Sequence, residues 1–447
     1  MLPSVRYCKT AFEQVRRQRQ SHEPLQLNDI RWVSFERFLA LGFPTTRDEA
    51  WRLTDVTPIA DTLFTMSVRP ADWAEAVRLA PFHVPDVFGA ELVFVNGHYV
   101  PEASTLGTSG SDALVEPLST VLHENPDYID TWFTHVAPWQ RPAFVALNTG
   151  LFTDGACVLV PARTVVEKPI HLRFISTGET DRRPAMSHTR VLIVLEPGSQ
   201  ATIVESYAGA DGVEYFTNAV TEIALGDEAV LDHYKLQHES SRAYRIDTTY
   251  AVTARAAHCS LNSVSLGGSL VRNDIVAVLA GEGGQCDLNG VYLAAGQQLV
   301  DYHASIDHVT PDSRSGQAYN GILAEEARGV FDSRVGLQGD EGKAATTYAN
   351  QSLLLSDDAR IDSTSRVENV ASGVANSAER PIVRRLDEDA LSYSRSHGIG
   401  QLEAQQVVVD AFASDLVNGL RLRPLRSCVQ AIIRRRLQGV LGLVNKP

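Results

Sequence analysis

Val191-Leu-Ile-Val-Leu-Glu-Pro-Gly-Ser-Gln200 runs straight into Ala201-Thr-Ile-Val-Glu-Ser-Tyr207. The order is an apolar run, a Pro-Gly turn, a small residue, then alternation of the kind a half-buried strand shows. The same order returns in Leu225-Gly-Asp-Glu-Ala-Val-Leu-Asp-His-Tyr234 and in Ala256-Ala-His-Cys-Ser-Leu-Asn-Ser-Val-Ser-Leu266. It returns again in Gly284-Gln-Cys-Asp-Leu-Asn-Gly-Val-Tyr-Leu293, with looser echoes at Glu326-Ala-Arg-Gly-Val-Phe331 and Asp358-Ala-Arg-Ile-Asp362. A unit that repeats about every 28 residues is the mark of stacked coils. One coil cannot bury its apolar face alone, so neighbours stack into a continuous core. The repeat therefore predicts a mainly β protein with a right-handed β-helix, or solenoid, over residues 136–380. A Greek-key sandwich also spaces its strands evenly and stays open as the alternative.

The chain changes texture on both sides of this core. Residues 1–135 read as mostly helical. Phe35-Glu-Arg-Phe-Leu-Ala-Leu-Gly-Phe-Pro44 is a helix closed by Gly42 and Pro44, and Thr46 with Glu49 three residues on reads as a helix start. Asn96-Gly97 between Val93-Phe-Val95 and Tyr99-Val100 is a hairpin turn, because both central positions of such a turn take positive φ. Residues 381–447 read as helices again. Asp387 to His397 carries acids first and Arg395 and His397 last, which suits the helix dipole. A second helix, from about Gln401 to Gly419, lines up Val409, Phe412, Leu416 and Leu420 as one apolar stripe. A third runs from Ser427 to about Leu441, apolar on one side and basic on the other. These helices cap the solenoid's end or hold a partner; spacing does not choose.

Composition narrows the function. The chain has 447 residues and a formal net charge of −14, which argues against nucleic acid as a partner. No apolar run is long enough to cross a bilayer, and the first residues lack a hydrophobic signal core, so the expectation is a cytoplasmic protein off the membrane. The five cysteines, Cys8, Cys157, Cys259, Cys286 and Cys428, are odd in number and widely spaced, which speaks against a disulfide framework or a self-contained zinc site. The basic tail, Arg421-Leu-Arg-Pro-Leu-Arg426 and Arg434-Arg-Arg436, reads as the outer face of a helix or as a docking surface for an acidic partner.

Catalytic motifs are missing. Gly342-Lys343 ends like a phosphate loop, but Leu337 stands where its first glycine belongs and Ala344 where Ser or Thr must reach magnesium. There is no Gly-x-Ser-x-Gly elbow, no His-Glu-x-x-His and no dinucleotide fingerprint. One polar group stands out. Alternation puts Asp301, His303, Ser305 and Asp307 on one strand face, where two carboxylates and a histidine offer a divalent-metal site or acid–base pair. A solvated outer face explains them as well. Cys259 and Cys286, one coil apart, are the cysteines that stacking would bring together, either as packed thiols or as metal ligands. Trp32 and Trp51 read as core residues of the N-terminal region.

Several stretches in order resemble the SufB/SufD family of iron–sulfur cluster assembly scaffolds. They are Glu49-Ala-Trp-Arg-Leu-Thr-Asp-Val56, Phe94-Val-Asn-Gly-His-Tyr99, Pro169-Ile-His-Leu172, Asn320-Gly-Ile-Leu323 with Ala327-Arg-Gly-Val-Phe331, Gln351-Ser-Leu-Leu-Leu-Ser356, and Leu386-Asp-Glu-Asp-Ala-Leu-Ser-Tyr-Ser-Arg-Ser-His-Gly-Ile399. The tryptophan segment and modest length favour the SufD branch. The resemblance implies a β-helix between helical regions and a non-catalytic scaffold. It also implies a heterodimer with a SufB-like homologue through the β-helix end, and a SufC ATPase docked on the C-terminal helices. A homodimer is the expectation for the chain alone. No cofactor is expected on this chain by itself, and an iron–sulfur cluster only in the assembled complex. Where the family carries Cys-Ser-His-Gly near this interface, the chain has Asn376 near the cysteine position and Ala378 near the histidine, and neither can ligate iron. Two other functions stay open: a SufB-like subunit that nucleates clusters itself, and a β-helix carbohydrate-active enzyme using Asp301 and Asp307 as paired acids.

Overall fold

The computed structural model describes residues 3–19, 23–70, 72–82, 84, 86–107, 111–180, 183–337, 345–368, 375–378, 382–385, 396, 400–417 and 419–440. Two long sheets face each other, and from Asp154 the chain alternates between them. The first sheet starts with Asp154–Val160 and Arg183–Leu195 and ends with Arg328–Leu337 and Arg360–Glu368. The second starts with Ile170–Ser176 and Gln200–Gly209 and ends with Ala345–Leu354, followed by Ala375–Ala378 and Ile382–Arg385. All pairings along the stack are parallel: Val230 aligns with His258, His258 with Gln285, and Gln285 with Arg314. The chain is the β-solenoid that the repeat predicts. A sandwich built of hairpins would pair its strands antiparallel.

The recurring corner has a physical cause. Gly198, Glu228, Ala256, Gly283 and Asp312 each stand two residues before a strand of the second sheet, and each has positive φ, between 54° and 71°. The residue that follows is Ser199, Ala229, Ala257, Gly284 or Ser313, small enough to tuck under the corner; the four with side chains are fully buried. A left-handed residue to turn the chain and a small one to let it pack make up the repeated sentence. Between the sheets runs one core, from Leu92, Phe94 and Phe174 at one end to Phe331, Tyr348 and Leu354 at the other.

The outer faces are covered differently. Over the first sheet lie the N-terminal helices Pro3–Arg19, Leu25–Leu41 and Ala143–Leu151, packed by Phe12, Phe35, Phe38 and Phe144 against Met186, Phe216, Ile246 and Leu270. Gly42 closes the second of these helices as expected. Thr46 starts none: Glu49–Trp51 is a single 3-10 turn, and Asp48 accepts the Thr45 N–H instead. The N-terminal region also contributes strands. Ala90–Val95 joins the second sheet and turns at Asn96 (φ 53°) and Gly97 (φ 76°) into His98–Tyr99, the hairpin the sequence signals.

The helices Gln401–Val417 and Arg423–Val440 lie along the side of the solenoid, not across its end. Val409, Ala413, Val417, Leu425, Val429, Ile433 and Leu437 pack on Val204, Tyr234, Leu236, Val264, Leu266, Val291 and Leu293 of the second sheet. Arg421, Arg423, Arg434 and Arg435 face outward. Of the helix expected over 387–397 only Ser396 is among the described residues, and it is helical; the Gly342-Lys343 pair lies outside them. None of the described helices is long and apolar enough to cross a membrane.

Candidate functional site

The strand Leu299–His308 sends Val300, Tyr302, Ala304, Ile306 and His308 inward, so Asp301, His303, Ser305 and Asp307 share the outer face, as alternation requires. Asp301 is nonetheless fully buried. The Trp51 segment roofs it, and the Thr54 hydroxyl donates to its carboxylate. Arg272 Nη1 lies 3.0 Å from Asp301 Oδ2, and His303 Nε2 lies 3.1 Å from Oδ1. Arg272 also donates to the Ala50 carbonyl at 2.7 Å and to Asp274 at 2.8 Å, with its guanidinium 3.7 Å from the centre of the Trp51 ring. Burial would raise the Asp301 carboxyl, but Arg272, His303 and Thr54 outweigh it and hold it below the usual carboxylate range. Burial would likewise lower the His303 imidazole, and Asp301 raises it instead. Asp301 is therefore not the solvated residue that an outer strand face suggests; it fastens the N-terminal region to the solenoid.

Asp307 has different company. Arg334 Nη1 lies 2.9 Å away and also donates to Ser305, while its Nε reaches Glu368 at 2.7 Å. The two carboxylates thus serve separate arginines. Among the described residues no three His, Cys, Asp or Glu side chains could hold a metal ion together. A sugar chain would also find Asp301 shut beneath Thr54, which removes the paired-acid groove a glycosidase needs.

The repeat does bring Cys259 and Cys286 together. They are direct partners on neighbouring strands, both point into the core, and both are buried. Asn376 and Ala378 fall on the last rung, aligned with Thr346 and Tyr348. A charged cluster that no sequence motif announces lies inside the solenoid. Glu205 meets His233 at 2.8 Å and Lys235 at 3.6 Å, and Lys235 meets Asp247 at 2.8 Å. Arg245 pairs with Asp247 and Glu239 and lies over Tyr207. Burial would raise the Glu205 carboxyl, yet Lys235, His233 and Tyr207 bring it down to about 2. The available signal was parity: Glu205 alternates with Ile203 and Ala201, which are core residues.

The last rungs differ from the rest in exposure. Arg360–Glu368 has no fully buried residue, and all four residues of Ile382–Arg385 are exposed. Among the described residues no strand pairs beyond them, so each leaves one backbone edge free.

Comparison with known proteins agrees with this architecture. Residues 4–172 match the model of the SufBD protein N-terminal region, and residues 174–412 match the SufBD core domain of the SUF iron–sulfur cluster assembly system. An iron–sulfur cluster assembly SufBD family protein of Synechocystis is 28% identical over 403 residues, covering 87% of each chain. The iron–sulfur cluster assembly protein SufD of Escherichia coli is 26% identical over 404 residues, covering 90% of this chain and 92% of its own. That of Bacillus subtilis is 25% identical over 332 residues, 71% of this chain and 72% of its own.

Proposed function

Because the chain belongs to the SufBD family of iron–sulfur cluster assembly proteins, we propose that it is a SufD-like scaffold subunit that works without catalysing a reaction itself. Its partner is a SufB-like homologue, met through the last rungs of the solenoid. The outer edges of Arg360–Glu368 and Ile382–Arg385, on which no described strand pairs, carry this reading. Unpaired strand edges invite pairing with another chain, and a homologous coil has the matching strand spacing. Iron and sulfide are cargo of the assembly. Asn376 and Ala378 offer them no ligand, so cluster ligands at that rung come from the partner.

The second half of the proposal concerns the SufC ATPase. The helices Gln401–Val417 and Arg423–Val440 are its dock, with Arg423, Arg434 and Arg435 turned to solvent. Hydrolysis of ATP belongs to that partner, in keeping with the broken phosphate loop at Leu337 and Ala344. Co-expression with SufB and SufC tests both halves. The full chain is expected to recover both proteins. Truncation before Leu386 is expected to lose SufC and keep SufB, and Arg434→Glu with Arg435→Glu to weaken SufC recovery in an intact fold. Recovery of neither partner by the full chain would overturn the proposal.

A further inference from the structure

A cleft of about 410 Å³ lies between the N-terminal region and the outer face of the first sheet, and the scaffold reading makes no use of it. Clefts of about 300–1,000 Å³ are the size that holds small molecules. Thr248, its strand partner Asp274 and Tyr250 form the floor, Trp51 and Phe144 line the walls, and the exposed Asp48 and Arg141 mark the mouth. The walls are set before any ligand arrives. Arg272 lies 3.7 Å from the centre of the Trp51 ring, and Phe144 meets the same ring at 5.4 Å. Arg272 and Asp274 neutralise each other at 2.8 Å.

Other groups on the cleft have no such partner. Thr248 is only 4% exposed, yet its hydroxyl has no hydrogen-bond partner among the described residues, and neither do the Tyr250 hydroxyl and the Arg141 guanidinium. A hydroxyl so far from bulk water costs stability unless something in the cleft bonds it. Burial and the Asp274 charge push the Tyr250 hydroxyl up to about 12, so at neutral pH it keeps a proton to donate. Asp48 takes the Thr45 N–H and hydroxyl on one carboxylate oxygen and leaves the other open. Aromatic walls suit a ring. The mouth decides what that ring carries: an acid alone would meet Asp48 with the wrong sign, and an amine alone would meet Arg141 so. We propose that the cleft binds a free aromatic amino acid with a ring hydroxyl, of the tyrosine class. The ring lies against Trp51 and Phe144, its hydroxyl reaches Thr248 and Tyr250, the ammonium faces Asp48 and the carboxylate Arg141. A tyrosine inside a peptide has the ring but lacks both charges.

The test is equilibrium dialysis of the full-length protein against radiolabelled L-tyrosine, with unlabelled competitors. One equivalent is expected to bind saturably. Tyramine and 3-(4-hydroxyphenyl)propionate, each missing one charge, are expected to compete at least about tenfold more weakly, and N-acetyltyrosine amide, missing both, more weakly still. L-phenylalanine, without the ring hydroxyl, is expected to lose about three- to tenfold. Arg141→Ala is expected to weaken binding at least about tenfold and Tyr250→Phe about three- to tenfold, with the melting temperature unchanged because neither group bonds within the protein. Should a variant fail to fold, the competitor series on the wild type still decides. No saturable binding up to millimolar tyrosine, tyramine or N-acetyltyrosine amide competing as well as tyrosine, or undiminished binding by folded Arg141→Ala would overturn the site. None of these results depends on SufB or SufC binding.

Discussion

At its N-terminal end the solenoid stops against strands that run the other way. Leu114–Pro117 lies antiparallel on Asp154–Val160, and His98–Tyr99 folds back on Ala90–Val95 beyond Ile170–Ser176. Helices then cover the outer face there, over an ion pair with no exposure at all: Arg190 Nη2 sits 2.6 Å from Glu222, which also accepts the backbone N–H groups of Thr134, Val136 and Ala137. At the C-terminal end no described strand pairs on the outer edges of the last strands, and the ion pairs, Arg366 with Asp332 and Arg328 with Asp362, are partly exposed. One end is finished within the chain, while the other is built like a surface awaiting a second coil. The same arginine–carboxylate chemistry holds both, but burial makes it structural at one and dispensable at the other.

The largest effect expected from breaking this contrast is at the closed end. Glu222→Ala leaves Arg190 buried without its partner and should cost about 3–5 kcal/mol in urea unfolding, against less than about 1 kcal/mol for Arg366→Ala at the open end. Equal costs would erase the distinction. Next comes pairing. Ser365→Pro in the terminal strand removes a backbone donor on the outer edge, since Arg360 and the alternate residues after it donate inward to Arg328–Leu337, and recovery of co-expressed SufB should fall at least tenfold while the melting temperature of the chain alone changes little. A third test uses acid. Burial lowers His188, beneath the N-terminal helices, to about 3. Between its unfolded value near 6.5 and that folded value the unfolded chain takes up a proton the native state refuses. Stability should therefore fall by about 1.4 kcal/mol per pH unit below pH 6.5 from this residue, and His188→Gln should remove that slope. The smallest change is at a corner. Ala256 holds φ at 54°, and Ala256→Gly should stabilise the chain by about 0.5–1 kcal/mol in the same unfolding assay.

The repeat was legible because each corner needs both a left-handed residue and a small one, and such pairs as Pro197-Gly198 followed by Ser199 leave a mark in the sequence. The hairpin at Asn96-Gly97 and the stacking of Cys259 on Cys286 were legible for the same local reason. Period-two alternation also grouped Asp301, His303, Ser305 and Asp307 on one outward face. It could not show that Thr54 and Trp51, far away in sequence, would roof Asp301. It did mark Glu205, by parity with Ile203 and Ala201, but could not show that Lys235 and Asp247 would join it. A charged residue in an alternating strand reads as facing water, and here the neighbouring strand gives Glu205 its His233 and Lys235 while the opposite sheet gives Lys235 its Asp247. The side-on seat of the C-terminal helices was hidden too, since an apolar stripe fits a sheet face and a solenoid end alike.

Hydrogen exchange of the chain, alone and mixed with its SufB homologue, tests the contrast between the ends most directly. The account predicts new protection of the backbone amides of 360–368 and 382–385 in the mixture, with 90–95 and 114–117 unchanged. Protection gained at 90–117, or bound partner with no change at 360–368, would contradict it.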